Sequence, residues 1–231
     1  MRKLLIAIAL LWLIPSVSRE TTLSDIRATV HAMISADSSN RVLTNTRLNI
    51  FINEAIPVLS ADARCVVTSK RQLFVSNVEQ YVISTAMVKD GVLDAYVKQM
   101  NGTTLGGIFG LIRRDISEFG RSGELTPNVY DVAGYNLHIY SLPTVSASGE
   151  LDDSLIIVYA KIGIELNADT TTTDIPDDYR LALCYKTCEL IYGNRRMESL
   201  ASAYSQLYDK EISKKRSINP PDSLQRIVTN R

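Results

Sequence analysis

The stretch Asp169-Thr170-Thr171-Thr172-Thr173-Asp174-Ile175-Pro176-Asp177-Asp178-Tyr179-Arg180-Leu181-Ala182-Leu183 is where the chain changes texture, from short strand-like runs to helical periodicity. Its first half, Asp169 to Asp174, is a polar boundary. Its second half is a helix start: Pro176 needs no N–H donor in a first turn, and Asp177 and Asp178 favour the positive end of the helix dipole. The helical period then runs to Tyr192, where Gly193-Asn194 is a C-terminal signal. A last helix follows from Met197 to Lys214, with Leu200, Ala201, Tyr204, Leu207, Tyr208 and Ile212 on one stripe.

Upstream of that boundary, short β-rich runs occur at Val66–Val67, Leu73–Val75, Tyr81–Ser84, Val92–Met100, Val129–Val132, Leu137–Tyr140 and Leu155–Ile162. The alternation in Asn136-Leu137-His138-Ile139-Tyr140 predicts a half-exposed antiparallel sheet or a small sandwich. One short helix, Ile112 to Phe119, is expected to interrupt it. Further upstream the period is helical again. Leu23, Ile26, Val30, Met33 and Ile34 form a stripe behind a Thr22/Asp25 capping pair. A second helix starts near Asn45 or Thr46 and carries Leu48, Phe51, Ile52, Ala55, Ile56 and Leu59, with Pro57 expected to kink it or restart its last turn. The polar linker Asp37 to Arg41 makes these two helices an antiparallel pair.

The order defines an α+β class: a helical bundle of two N-terminal and two C-terminal helices with a β-rich antiparallel insert between them. The divisions are an apolar N-terminal arm or leader at 1–21, a helical bundle domain from 22–64 and 175–216, a β-rich insertion at 65–174, and an extended C-terminal tail at 217–231. No internal repeat is visible.

Composition excludes several classes. The 231 residues carry 25 Lys and Arg against 25 Asp and Glu, and 45% are hydrophobic, which rules out collagen-like, disulfide-scaffold and wholly disordered chains. Zero net charge argues against a protein that grips nucleic acid through many phosphate contacts. The three cysteines, Cys65, Cys184 and Cys188, cannot all pair within one chain, which suits a reducing compartment.

The N-terminus reads differently. Met1-Arg2-Lys3 precedes eleven apolar residues, Leu4 to Ile14, and then Pro15-Ser16-Val17-Ser18. This has the layout of a secretory signal and is too short to span a bilayer. Two readings stand open: the cleaved signal peptide of an exported periplasmic or surface binding or adhesion module, or a retained arm that packs on its own subunit or a neighbour.

No catalytic, cofactor-binding or metal-binding residue is nominated. His31 and His138 fall on different predicted elements and in no metal-ligand spacing. Gly102-Thr103-Thr104-Leu105-Gly106-Gly107-Ile108-Phe109-Gly110 superficially resembles a phosphate loop, but Ile108 and Phe109 stand where Lys and Ser/Thr are required. It reads as a flexible loop. Cys184 and Cys188, at i and i+4, read as core thiols, and Tyr179, Tyr185, Tyr192, Tyr204 and Tyr208 as packing residues.

The C-terminus is more informative. From Lys210 onward six bases face two acids, a net +4 on a neutral chain. The apolar Ile218, Leu224, Ile227 and Val228 give an extended segment something to dock with. The partner-binding residues are therefore Lys214, Lys215, Arg216, Ile218, Pro220, Pro221, Leu224, Arg226, Ile227 and Val228.

Three segments carry a resemblance. Leu23-Ser24-Asp25-Ile26-Arg27, with Arg47-Leu48-Asn49-Ile50-Phe51-Ile52-Asn53-Glu54-Ala55, resembles the opening helix and the Asn-Glu-Ala second helix of tailed-bacteriophage head-to-tail connector (portal adaptor) proteins. Tyr130 to Pro143 is similar to their strand-turn-strand ending in proline. Ile175 to Leu183, with the Tyr204 to Ile212 helix, is similar to their C-terminal helical pair. The resemblance covers about Leu23 to Lys215, and the N-terminal apolar run departs from it.

It implies a structural, non-enzymatic virion protein of the neck: a homo-oligomeric ring, typically a dodecamer, beneath the portal protein, assembled from host cytoplasm. Such a ring extends the DNA channel without sequence-specific binding, requires no cofactor or membrane, and presents a platform for tail proteins (nozzle, tail-tube or terminator). The C-terminal tail would dock on the portal, and near-neutral charge suits a conduit through which DNA must slide.

Overall fold

The computed structural model describes residues 21–35, 43–74, 80–101, 104–113, 129–139 and 154–218. Helix α1 spans Leu23–Ser35 and α2 spans Asn45–Ala63. Strands β1 (Val67–Leu73), β2 (Gln80–Val82), β3 (Met87–Asn101), β4 (Thr104–Gly110), β5 (Ile112–Arg113), β6 (Val129–Ala133), β7 (Asn136–Ile139) and β8 (Ser154–Lys161) follow. A 3-10 turn at Asp177–Tyr179 leads into α3 (Arg180–Asn194), and α4 spans Glu198–Ile218. The protein is α+β.

The helices bury their stripes on one another. Leu23, Ile26 and Val30 of α1, Leu48, Ile52 and Leu59 of α2, Leu183, Cys188 and Ile191 of α3, and Tyr208 and Ile212 of α4 belong to one cluster. The cap expected for α1 is present and reciprocal. Thr22 N–H donates to Asp25 Oδ2 at 3.1 Å, and Asp25 N–H donates to Thr22 Oγ1 at 3.3 Å. Thr22→Ala is expected to cost about 1 kcal/mol, read as a lower urea midpoint at unchanged slope.

The polar stretch Asp169–Asp174 does more than mark a boundary. Its carbonyls accept from the first N–H groups of α1: Leu23 N–H to Thr171 O at 3.1 Å and Ser24 N–H to Asp169 O at 3.3 Å. Asp169 also pairs with the nearly buried Arg27. Donors that a helix leaves unsatisfied at its start are thus met by chain more than 140 positions away. Pro57 lies inside α2, which continues unbroken to Ala63, where Arg64 caps it in the left-handed region (φ 48°).

Two four-stranded sheets share a second apolar cluster. The first has the order β1-β8-β3-β4 and the second β2-β7-β6-β5. Leu155, Ile157 and Tyr159 of β8, Val92 and Val97 of β3, and Tyr130, Val132, Leu137 and Ile139 of β6 and β7 meet there. Every pair in the first sheet is antiparallel, whereas β5 and β6 of the second run parallel.

Two expectations are corrected. Ile112–Arg113 is not the start of a helix but strand β5, held by Val129 and Tyr130; the rest of that predicted helix lies outside the described residues. The glycine-rich run is not a loop over Thr104–Gly110. It pairs with β3 from Tyr96↔Gly110 to Asn101↔Thr104, because ladder bonds use backbone groups and require no side chain. Gly102 and Thr103 lie outside the described residues.

Helical and strand regions are joined at one seam. Lys161 N–H donates to Val66 O at 2.9 Å, Gly163 N–H to the buried Ser60 Oγ at 3.0 Å, and Lys161 pairs with Asp174 at 2.8 Å. Asn53 uses both ends of its amide on Leu166, accepting from its N–H at 3.0 Å and donating to its C=O at 3.4 Å.

Candidate partner-binding surfaces

Helix α4 seats the basic C-terminal residues. Tyr204 stacks on Tyr192 with ring centroids 5.5 Å apart and an interplanar angle of 11°. Tyr208 donates to Asp62 Oδ2 at 2.7 Å and lies under the Lys186 ammonium, 5.1 Å from the ring centroid. Burial, with the Asp62 bond adding to it, pushes the Tyr208 phenol well above its ordinary value. With Ile212 also buried, these contacts fix the helix axis and carry its last turn to Ile218.

Lys214 is exposed in that last turn, and Lys215, half-buried, stands 3.9 Å from Asp178. Arg216 and Ile218 are helical as well, so α4 runs past Ser217, where the sequence suggests an extended tail starts. Cations here face the negative end of the helix dipole, which favours the continuation. Pro220, Pro221, Leu224, Arg226, Ile227 and Val228 lie outside the described residues, as does the Leu4–Ile14 run on which an exported module would rest.

A second surface was not foreseen from the sequence. The first turns of α2 and the α3–α4 turn enclose a groove of about 660 Å³, lined by Leu43, Arg47, Ile50, Phe51, Glu54, Ile191, Asn194, Arg195, Arg196 and Met197. Helix α3 ends at the expected Gly193-Asn194, but its left-handed cap residue is Arg196 and not the glycine. Arg196 N–H donates to Gly193 O at 3.0 Å and Met197 N–H to Tyr192 O at 3.0 Å, a Schellman pattern with Arg196 in the left-handed region (φ 58°). A side chain there costs about 1 kcal/mol relative to glycine. Arg47 and Arg196 lie 149 positions apart, so only the fold brings them together.

The histidines and cysteines are dispersed over different elements. His31 is on α1, while His138 is on β7 opposite Gln80 and Asp131. Cys184 and Cys188 are fully buried, with Cys188 Sγ 3.9 Å from Met33 Sδ. Burial pushes both thiols, and Cys65, up to about 12, so they stay protonated at neutral pH and are poor nucleophiles. Among the described residues no group of three or more His, Cys, Asp or Glu is arranged to hold a metal, and no helix is long and apolar enough to cross a membrane.

These features define an α+β protein whose distinctive charged and apolar residues lie at its surface. The chain belongs to the SU10 adaptor protein family, a family of phage head-tail adaptors, which it matches over residues 21–228. No curated protein matches it. The family match takes in every residue of the predicted C-terminal docking set and leaves out the apolar run Leu4–Ile14.

Proposed function

We propose that this protein is the head-to-tail adaptor of a tailed phage, assembled as a ring of about twelve copies beneath the portal. It extends the DNA channel and gives the tail its attachment platform, without catalysis. The observation that supports this most directly is the extent of the family match, from the start of α1 into the basic C-terminal segment. In this reading the four helices are a bundle domain that builds the ring, the strands are an insertion facing a neighbour or the tail, and the virion neck is the final location.

The segment after α4 is the portal-docking element. Lys214, Lys215 and Arg216 supply charge on the last turn, and Ile218, Pro220, Pro221, Leu224, Arg226, Ile227 and Val228 continue it as a short apolar and basic strip. A proline pair holds such a strip extended at little entropic cost. Truncation after Ile218 keeps the helix and removes most of the strip. Native mass spectrometry of the full chain with its cognate portal is expected to show a ring on the portal, and the truncated chain to lose it. A full chain that stays monomeric beside the portal overturns the ring, whereas a truncated chain that assembles normally overturns only the docking role.

A further inference from the structure

We propose that the segment Glu150-Leu151-Asp152-Asp153 of one copy docks in the arginine-rimmed groove of a neighbouring copy. The inference rests on the reading that copies of this chain assemble side by side. Arg47 and Arg196 are exposed on the rim, Ile50 is 52% exposed, and Phe51 and Met197 are half-buried beside it. Three arginines against the single Glu54, around aliphatic and aromatic surface, fit an acidic segment with an apolar anchor. Arg196 also occupies a backbone position that glycine would take without strain, so its side chain is held there against a local cost.

The chain's own termini have the wrong sign. Residues 1–20 carry Arg2, Lys3 and Arg19 against Glu20, and residues 219–231 carry Arg226 and Arg231 against Asp222. Between residues 122 and 160 the pattern reverses: 39 positions hold no Lys or Arg and five acids, Glu124, Asp131, Glu150, Asp152 and Asp153. Three of the five flank Leu151. Carboxylates meeting the arginines while Leu151 covers Ile50 and Phe51 would match both halves of the groove's chemistry.

The groove and Ser154 lie at the far ends of two elements that meet at one corner. The seam bond between Lys161 and Val66 brings the C-terminal end of β8 to the end of α2. From there the groove lies back along α2 by about 24 Å, at 1.5 Å per residue from Ala63 to Arg47. Ser154, which the acidic segment adjoins, lies at the far end of β8, about 23 Å away. A groove on one copy that takes a different segment of the next copy makes a head-to-tail contact, the kind that closes into rings.

The test uses a labelled peptide of residues 146–154 and the full chain, read by fluorescence anisotropy at low salt. Saturable binding is expected, weakened about tenfold or more by Arg47→Glu with Arg196→Glu and by about 0.5 M salt. A peptide carrying Glu150→Lys, Asp152→Lys and Asp153→Lys is expected to bind that variant and not the wild type. Arg196→Gly separates docking from folding, since it is expected to raise the melting temperature while weakening the peptide. No saturable binding by the wild type, or equal binding by the double variant, overturns the contact. Binding that appears only after the chain's own Glu150, Asp152 and Asp153 are made amides places the segment in its own groove and also overturns it. A ring seen with the portal but no peptide binding removes this contact alone, and peptide binding without a ring removes the ring reading alone.

Discussion

Gly91→Ala is expected to lower the stability of the protein by about 2–4 kcal/mol, although it adds a single methyl group. A Cβ built at Gly91 would lie 2.6 Å from Val88 O and 2.9 Å from Ala160 O, both backbone atoms. Neither can turn aside as a flexible side-chain end would. The crowding has a cause in the ladder: β3 slips register against β8 between Met87 and Val92 and again between Val92 and Asp94, and Asp90 enters the left-handed region (φ 54°). Such a bulge bends the strand. Here it does so where Met87 and Val88 are buried and where Ile162 N–H reaches Ala86 O at 2.8 Å, beside the seam to the helices. Gly110→Ala is the control, because a Cβ there meets nothing within 4 Å; its effect should stay within about 0.5 kcal/mol. Urea unfolding followed by circular dichroism checks both, and a Gly91→Ala loss below about 1 kcal/mol would mean the two strands can part without penalty.

What was legible in the sequence follows from which interactions leave a periodic trace. Helices α1, α2 and α4 were placed to within a few residues at their starts, because Leu23-Ile26-Val30, Leu48-Ile52-Leu59 and Tyr204-Tyr208-Ile212 record the core they face. The cap at Thr22 and Asp25 was legible because a capping pair is local in sequence. Strand β4 was not, since Gly106, Gly107 and Gly110 carry no side chain to show alternation and the ladder to β3 is written in backbone groups. Strand β5 was missed because two residues cannot establish a period, and its partner Val129-Tyr130 comes from further along the chain.

The same distinction explains the surfaces. The basic C-terminal residues could be read as a cluster because they are close in sequence, although the helix continues through Arg216 to Ile218. The groove could not be read, because Arg47 belongs to the first turn of α2 and Arg195 and Arg196 to the turn after α3. The one local signal was the Arg-Arg pair just beyond Gly193-Asn194. The helix ends where Gly193-Asn194 signals it, while the left-handed residue is Arg196. Asn53, part of a family-like motif, is a clamp on Leu166. Its role depends on a partner 113 positions away.

A second large effect is expected at alkaline pH: stability should be flat up to about pH 8.5, then fall steeply and be exhausted between about pH 11 and 12. The groups responsible are Cys65, Cys184 and Cys188, each pushed by burial from an ordinary value of 9.0 up to about 12; the charge of Asp174 adds to the effect at Cys65, and Arg180 opposes it at Cys184. In the unfolded chain these thiols release their protons as pH passes 9, while the native state retains them up to about 12. The native state then binds more protons than the unfolded state, so the free energy of unfolding falls as pH rises. Three thiols in that window give a limiting slope of about 4 kcal/mol per pH unit, enough to consume an ordinary domain stability within two to three units. Tyr130, pushed up to about 12 by burial, and Tyr208, raised by burial and its bond to Asp62, steepen the fall above pH 10. The decisive comparison is Cys184→Ala with Cys188→Ala against the wild type, using the slope of unfolding free energy with pH in place of its absolute value. The loss of buried volume shifts both ends of that curve alike, whereas removing the two thiols should flatten it by about two protons. Equal slopes would mean that the thiols titrate alike in both states, and the compactness of the helical core around Cys184 and Cys188 would have to be abandoned.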